Sequence, residues 1–289
     1  MNSFQQLEYT KIKAILAAEC HSDLGKQLAA ELHPLSNRTA IREKLDLNSE
    51  IQNLLQTGLS FDLTKISQID ELINSKMHLV YSYEEFRQIY FNLQAANQIG
   101  CPAENQDDNP KFMLLISKLV KLPELEKRFR EIFDVEGFVL DSASAELNSI
   151  RKRKRKLRQN ITNMLNSKLA EFDKKNYVHD KIVTQRDGRF VIPLKESSAS
   201  FVPGIVHGRS GSKNSVYLEP QEAVSVNNQI DLANSEEKQE IFRIFKTYTE
   251  QLRVYKQEII QNTRILQQID FHFAVGRYAN SISAAKPNI

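Results

Sequence analysis

The 289-residue sequence is poor in residues that break helices and in residues that cross-link small domains. It has no tryptophan, nine glycines, eight prolines and two cysteines, Cys20 and Cys101. The two cysteines lack metal-ligand spacing, which argues against both a cysteine metal site and a disulfide framework. Scarce Gly and Pro, together with abundant Leu, Ile, Lys, Gln and Glu, predict a mostly α protein.

Long apolar runs and a strong net charge are also absent. No run approaches the roughly 18–20 residues of a membrane-spanning helix. The N-terminal sequence MNSFQQLEYTKIKAIL lacks the apolar core of a signal peptide, so we expect a cytoplasmic protein without a membrane partner. The formal net charge is only +3, and any anion-binding surface must therefore come from local clustering.

Helical patterns with polar entry residues occupy the first part of the chain. Asn37 and Ser82 suit helix N-caps, and Ser82 with Glu85 matches a capping box. The predicted helices cover about 3–32, 37–57, 64–74, 82–99 and 111–120.

A long helix is predicted at about 141–175, with Asp141 or Ser142 as its N-cap. Seven of the eight residues 151–158 are basic, which is too dense for a single solvated face. Lysine and arginine neutralise phosphates, so the run predicts a nucleic-acid contact. Heptad a and d positions are occupied by Leu147, Ile150, Leu157, Ile161 and Met164. The basic residues are Arg151, Lys152, Arg153, Lys154, Arg155, Lys156 and Arg158.

Two β-hairpins are predicted at about 177–220. Asp187-Gly188 separates two β-like runs and suits a tight turn, because both residues tolerate positive φ. The loop 208–214 lacks the spacing of a nucleotide-binding P-loop. His207 and Glu219 are interpreted as structural. Further phosphate contacts are predicted near the turns at Arg186, Arg189, Arg209 and Lys213.

A return helix is predicted from about residue 221 or 228 to residue 280, with apolar residues at nine of ten heptad positions. We expect residues 147–164 to face residues 241–259 in an antiparallel pair. The predicted domains are a helical lever or core at 1–150, a clamp arm at 151–250 with a β tip at about 177–220, and a return lever helix at 251–289.

Four segments, taken in order, resemble the MutS family of the second bacterial type. They read DSASAELNSIR (141–151), TQRDGRFVIPLK (184–195), VPGIVHGRSGSKNSVYLEP (202–220) and VSVNNQIDLANSEEKQEIFRIF (224–245). The resemblance implies a helical core and lever with an inserted antiparallel coiled-coil clamp capped by a small antiparallel β tip. One departure is the order Arg-Ser-Gly-Ser-Lys at 209–213, where the family often has a Ser-x-Ser-Gly series.

The resemblance also implies a function. It implies that the chain is the DNA-binding lever and clamp region of a MutS-type DNA-processing ATPase and endonuclease. Such a protein binds branched or recombination-intermediate DNA and suppresses homologous recombination. Such proteins dimerise around DNA and use ATP and Mg²⁺, but no P-loop is present here, so we expect neither catalysis nor a cofactor from these residues. The ATPase and nuclease domains are expected in a longer protein. Two alternatives are a ribosome- or rRNA-binding clamp and a non-catalytic coiled-coil dimerisation scaffold.

Overall fold

The structure is a computed structural model that describes residues 8–75, 79–211 and 214–289. It is mostly α with one small antiparallel sheet, as the sequence predicts. The chain forms two compact units: unit 1 comprises Met1–Glu131 and Phe245–Ile289, and unit 2 comprises Ile132–Ile244. No helix in the described ranges is long and apolar enough to cross a membrane.

Unit 1 is a helical assembly built around the helix α10. The predicted caps are confirmed: the Asn37 side chain accepts a hydrogen bond from Ala40 N at 3.0 Å, and Ser82 and Glu85 form a capping box. Its helices are α1 (Tyr9–Glu19), α2 (Asp23–Ala30), α3 (Arg38–Gln56), α4 (Asp70–Asn74), α5 (Tyr83–Gln98), α6 (Pro110–Ile116), α7 (Pro123–Ile132) and α10 (Lys256–Ser281).

The core of unit 1 explains the strong periodicity of the return segment. Leu266 and Ile269 of α10 have no exposed surface, and Phe273 packs edge-on against Phe61 and Phe112. Other segments cover α10 on several sides. Its apolar residues therefore lie on more than one face, whereas an ordinary surface helix has a single apolar stripe.

The single helix predicted at 3–32 is wrong within the described residues, since α1 ends at Glu19 and α2 begins at Asp23. A buried carboxylate, Asp270 of α10, holds the break. It accepts hydrogen bonds from His21 N at 3.0 Å and from Ser22 N at 2.8 Å. Ser22 then caps α2 by accepting from Gly25 N. This long-range contact satisfies backbone donors that a continuous helix would have paired internally.

A buried histidine in α10 gives a pH-dependent stability. Burial lowers the pKa of His272 to about 4, and nearby Lys44 acts in the same direction. The unfolded chain binds this proton near pH 6.5, whereas the folded chain does not, so stability falls as pH decreases through that window. We expect this group alone to cost about 2 kcal/mol between pH 7 and pH 5.

The measurement is urea unfolding at pH 7 and pH 5 for the native chain and for His272→Gln. The variant should lose distinctly less stability on acidification, because it removes the titrating group from the folded core. An equal loss in both proteins would show that His272 does not govern this pH dependence.

Unit 2 consists of a long helix, a four-stranded sheet and the first part of a second long helix. The sheet order is β1-β2-β4-β3, and all pairings are antiparallel. The predicted hairpin is confirmed, with positive φ at Asp187 and Gly188. The elements are α8 (Ala145–Lys174), β1 (Thr184–Arg186), β2 (Arg189–Lys195), β3 (Gly204–Arg209), β4 (Ser215–Pro220) and α9 (Gln221–Val254).

The sheet packs through one apolar cluster on the C-terminal half of α8 and the N-terminal part of α9. Ile161 and Leu165 of α8 are fully buried against Ile230 of α9 and against Ile192 and Leu218 of the sheet. The two central strands, β2 and β4, supply the apolar side chains of the sheet, whereas the edge strands β1 and β3 are largely exposed. This apolar cluster gives unit 2 a hydrophobic core of its own.

The helices α8 and α9 are antiparallel, but the predicted register is wrong. Ser144 lies against Glu240 and Lys168 against Glu222, so residues 147–164 face the part of α9 between these glutamates. The region predicted as their partner instead packs largely within unit 1, beginning at Phe245. The return segment also breaks at Tyr255, between α9 and α10. Apolar periodicity permits several registers, and the polar residues in the seam select one.

Candidate nucleic-acid interface

The basic run begins about two turns inside α8, whose N-cap differs from the prediction. Ser144, rather than Asp141 or Ser142, caps the helix by accepting a hydrogen bond from Leu147 N at 3.0 Å. Its hydroxyl also donates to Glu240 of α9 at 2.6 Å. Asp141 lies in a preceding 3₁₀ turn, which leaves its carboxylate free to bind basic residues of the helix.

Arg151 is an internal connector of unit 2. Its guanidinium donates to Asp141 and to Glu237, each at 2.7 Å, and to the carbonyl of Val139 at 2.7 Å. Only 19% of the side chain is exposed. The planar guanidinium thus donates to three acceptors at once, one on α9 and two on the segment that precedes α8. Arg151 therefore joins α8 to α9 and to residues 139–141.

Three further basic residues also have carboxylate partners. Arg153 pairs with Glu236, Lys154 with Glu237, and Arg155 with Asp141 at 3.0 Å. Lys154 is half-buried beside the seam, whereas Arg153 and Arg155 are largely exposed. Exposed pairs contribute little to stability, so Arg153 and Arg155 remain accessible to a competing anion.

The pKa values of the acidic partners reflect these contacts. Hydrogen bonds from Arg151 and Arg155 hold the pKa of Asp141 below its ordinary value. Burial disfavours the charged form of Glu237, but hydrogen bonds from Lys154 and Arg151 outweigh it and lower the pKa. Both carboxylates therefore stay ionised near neutral pH and neutralise part of the basic run.

The remaining three basic residues point into solvent. Lys152, Lys156 and Arg158 are exposed, and they make no ion pair with any residue that the structure describes. Lys152 and Lys156 are one helical turn apart, so their side chains lie above one another on one face. Of the predicted contact residues in the run, these three carry charge that unit 2 does not itself neutralise.

The basic residues predicted near the β turns have partners within unit 2. Arg186 donates to the Tyr217 hydroxyl at 2.6 Å and stacks 4.0 Å from the centre of that ring. Arg209 is exposed and pairs with Glu196 at 3.0 Å. Arg186 and Arg209 thus keep exposed cationic edges at the sheet, while the predicted contact Lys213 lies outside the described residues.

A buried polar cluster, which we call the Glu219 cluster, unites motifs that are far apart in sequence. Its members are Arg189, His207, Glu219 and Asn227. The Glu219 carboxylate has no exposed surface and is 2.6 Å from His207 Nε2, 2.7 Å from Asn227 Nδ2 and 3.4 Å from Arg189 Nε. Asn227 also bonds both backbone groups of Phe190, so the cluster ties α9 to β2, β3 and β4.

The cluster bears on two expectations about roles. Arg189 was predicted to contact phosphate, but 84% of its side chain is covered, and it also binds Asp231 at 2.9 Å and Asn228 at 2.7 Å. His207 and Glu219 are structural, as interpreted, although Glu219 anchors the sheet instead of merely ending a strand. Sequence reasoning missed Asn227. The available signal was the polar residue Asn227 at helical spacing between the apolar residues Ala223 and Ile230.

Gly204 shows how closely β3 approaches β4. A Cβ at this position would lie 2.3 Å from the carbonyl oxygen of Glu219 and 2.8 Å from a methyl group of Leu218. No side chain fits there without moving the strand that carries the Glu219 cluster.

These observations define a class of protein: a helical protein with an antiparallel pair of long helices, a small sheet packed on that pair, and exposed basic residues on one helix. No family model matches the chain. Individual relatives do match, over nearly its whole length.

The relatives carry the same name. The chain is 33% identical over 291 residues to "Endonuclease MutS2" of Finegoldia magna, covering 98% of this chain and 36% of the relative. It is 34% identical over 286 residues to "Putative endonuclease MutS2" of Bacillus subtilis, and 31% identical over 290 residues to "Endonuclease MutS2" of a Geobacillus species. Each of the latter two matches covers 97% of this chain and 36% of the relative.

These matches confirm the resemblance to the MutS family of the second bacterial type. The chain is homologous to a region of the MutS2 endonucleases, and it spans about a third of the length of the curated relatives it matches.

Proposed function

We propose that this chain is the DNA-binding lever and clamp region of a MutS-type DNA-processing protein. In this proposal unit 2 holds the sugar–phosphate backbone of branched or recombination-intermediate DNA, and the complete protein suppresses recombination. ATP, Mg²⁺ and nuclease chemistry belong to other regions of that protein. The relatives' name, endonuclease, supports nucleic acid as the substrate class.

The observation that carries the proposal is a set of three exposed cations, Lys152, Lys156 and Arg158, which we call the cationic strip. Lys152 and Lys156 share one face of α8, and Arg158 lies roughly 120–160° around the helix from them. The other basic residues of the run 151–158 have carboxylate partners, so these three side chains carry the charge of the run that is not compensated by the described residues. Lysine and arginine that meet phosphates release counterions, and this gives affinity without sequence readout. The strip therefore suits recognition of nucleic-acid shape rather than of base sequence.

The test replaces Lys152, Lys156 and Arg158 together with alanine and measures binding to a four-way junction across a salt series. Three lost phosphate contacts should lower the salt slope by about 2–3 and the affinity near 0.1 M salt by about 10- to 100-fold. Alanine keeps the helix, and these side chains make no ion pairs within the described residues, so the circular dichroism should not change.

A matched control replaces Lys118, Lys127 and Lys246, three exposed lysines of unit 1, with alanine. It removes the same charge and should alter the salt slope far less. Arg151→Ala is unsuitable for this purpose because it breaks contacts that hold unit 2 together.

Competition assays with ribosomes separate DNA from ribosomal RNA as the preferred ligand. Preferential binding to ribosomes, abolished by the same triple substitution, would favour the ribosome-binding clamp. Equal salt slopes for the native chain and the strip variant would refute the cationic strip as the nucleic-acid interface.

A further inference from the structure

The side of the sheet that faces away from the helices carries aromatic and basic side chains. In β2, Ile192 and Leu194 belong to the apolar cluster against the helices, so the alternating residues Pro193 and Lys195 point to the opposite side. Tyr217 of β4 lies directly opposite Pro193 in the neighbouring strand and therefore shares that side. We call this side the outer face of the sheet.

Two stacked groups of side chains lie on or beside the outer face. Tyr177 lies opposite Lys195, whose backbone N donates to Tyr177 O at 2.8 Å. The ring of Phe201 stacks on Tyr177, with the ring centres 5.8 Å apart. On the other side of β2, the Arg186 guanidinium covers the ring of Tyr217 at 4.0 Å from its centre. By strand spacing the Cα atoms of the two tyrosines are about 12 Å apart, so successive unpaired bases can reach both groups.

Phe201 is the most exposed aromatic residue of this arrangement. Its exposed fraction is 68%, although it ends the short 3₁₀ turn Glu196–Phe201 and the next residue, Val202, is buried in the apolar cluster. The buried neighbour fixes the backbone, so the Phe201 ring is held at the surface before any ligand binds. A preorganised flat ring of this kind offers a stacking surface at little cost in conformational entropy.

The cations of the outer face have neutral partners. Lys195 Nζ donates to the side-chain oxygen of Asn176 at 2.6 Å, and Arg186 donates to the Tyr217 hydroxyl. Within residues 8–75, 79–211 and 214–289, neither cation forms an ion pair with a carboxylate. Both side chains therefore keep their full positive charge for a phosphate.

We propose that the outer face binds unpaired nucleotides at a DNA branch. One base stacks on Phe201, the next base stacks on the Arg186 guanidinium above Tyr217, and Lys195 contacts the phosphate between them. Every base has a flat face that stacks on aromatic rings and guanidinium planes, so this recognition is independent of base sequence. The bases of a closed duplex stack on each other, and they cannot stack on the protein without being unpaired.

This inference rests on the proposed function and narrows its substrate class to DNA with unpaired nucleotides. The cationic strip contacts phosphates, which paired and unpaired DNA share, so it raises affinity for both. The outer face contacts base faces, which only unpaired nucleotides expose, so it sets the preference between the two. The two surfaces can therefore be tested separately.

The absence of tryptophan from the sequence allows a direct test of stacking. Phe201→Trp keeps an aromatic ring and introduces a single tryptophan whose fluorescence is quenched when a base stacks on it. We expect quenching by an oligothymidine of about 12 nucleotides and little change with a closed duplex. Phe242→Trp, at a phenylalanine of α9 that is 58% exposed, is the matched control and should be quenched by neither DNA.

Binding measurements with the Phe201 variants test the contribution of the ring. Phe201→Ala should weaken oligothymidine binding by about 5- to 100-fold and leave the affinity for a closed duplex within about twofold. Phe201→Tyr should bind as the native chain does, whereas Phe201→Leu should remain weak because it restores apolar area without a flat ring. The native chain should prefer a four-way junction with unpaired nucleotides at the branch over a fully paired one, and Phe201→Ala should remove this preference.

The outcomes separate this inference from the proposed function. Equal oligothymidine affinity of the native chain and Phe201→Ala, with duplex binding intact, would overturn the inference and leave the proposed function standing. Native affinity in Phe201→Leu, or unquenched fluorescence of Phe201→Trp at saturating oligothymidine, would also overturn it. If the native chain bound none of these DNAs, the proposed function would fail and this inference with it.

Discussion

Replacing Glu219 with alanine is expected to destabilise unit 2 by about 3–5 kcal/mol. The carboxylate is fully buried and is the shared acceptor for His207, Arg189 and Asn227. Without it, the Asn227 amide and the His207 ring lose a buried hydrogen-bond partner. The Arg189 guanidinium loses one of its two carboxylate partners and keeps Asp231. Breaking a buried charged pair leaves desolvated groups whose cost exceeds the net value of the pair itself.

Glu196→Ala is the matched control, because it also removes a glutamate that pairs with an arginine of unit 2. That pair, with Arg209, is exposed, so the cost should stay below about 1 kcal/mol. Hydrogen exchange of β2 and β4 amides under increasing urea measures the stability of the sheet specifically. Similar losses for Glu219→Ala and Glu196→Ala would refute the central role of the Glu219 cluster.

The second large effect is expected in unit 1, at Asp270. Alanine at this position leaves the His21 and Ser22 amides and the Ser22 hydroxyl without their acceptor, in a site that is 1% exposed. We expect a loss of about 3–5 kcal/mol, since hydrogen bonds to a charged acceptor contribute about 1.5–3 kcal/mol each and do not add fully.

Gly25 allows a sharper test by a double-mutant cycle. Glycine to alanine normally stabilises a helix by about 1 kcal/mol, but a Cβ here would lie 2.3 Å from the Asp270 carboxylate. Gly25→Ala should therefore destabilise the native chain. In the Asp270→Ala background the two closest atoms are gone and only Cys20 Cβ, at 3.1 Å, remains near the added methyl group, so the same substitution should be much less destabilising or neutral.

Urea unfolding followed by circular dichroism measures the four proteins of this cycle. Strictly additive effects would show that Gly25 and Asp270 do not interact, and would contradict the proposed origin of the break between α1 and α2.

Local signals in the sequence predicted the parts of the fold that depend on neighbouring residues. The structure confirms the capping box at Ser82, the Asp187-Gly188 hairpin and the apolar stripe of α8. Each of these features depends only on residues that are close together in the sequence. The break between α1 and α2 was missed because its cause, Asp270, lies about 250 residues away.

The sequence predicted the basic run but not the ion pairs that its residues form. Counting charges identified the basic run, yet counting cannot show which charges are already neutralised. Arg151 and Lys154 face Glu237 because α9 returns in one particular register, and Arg189 is covered because β2 lies beside α9. Lys152 and Lys156 differ from Arg151 and Lys154 by their angle around the helix, whereas Arg158 lies at nearly the same angle as Arg151 but about two turns further along α8.

The sequence by itself determined the helical class, the hairpins and the location of the basic run. These properties follow from composition, short-range turn chemistry and periodicity, which act within one element. Only the tertiary structure decided the register of α8 on α9, the Glu219 cluster and the set of free cations. Those features depend on which polar groups meet after distant segments pack, and a buried polar group must find a partner wherever the fold supplies one.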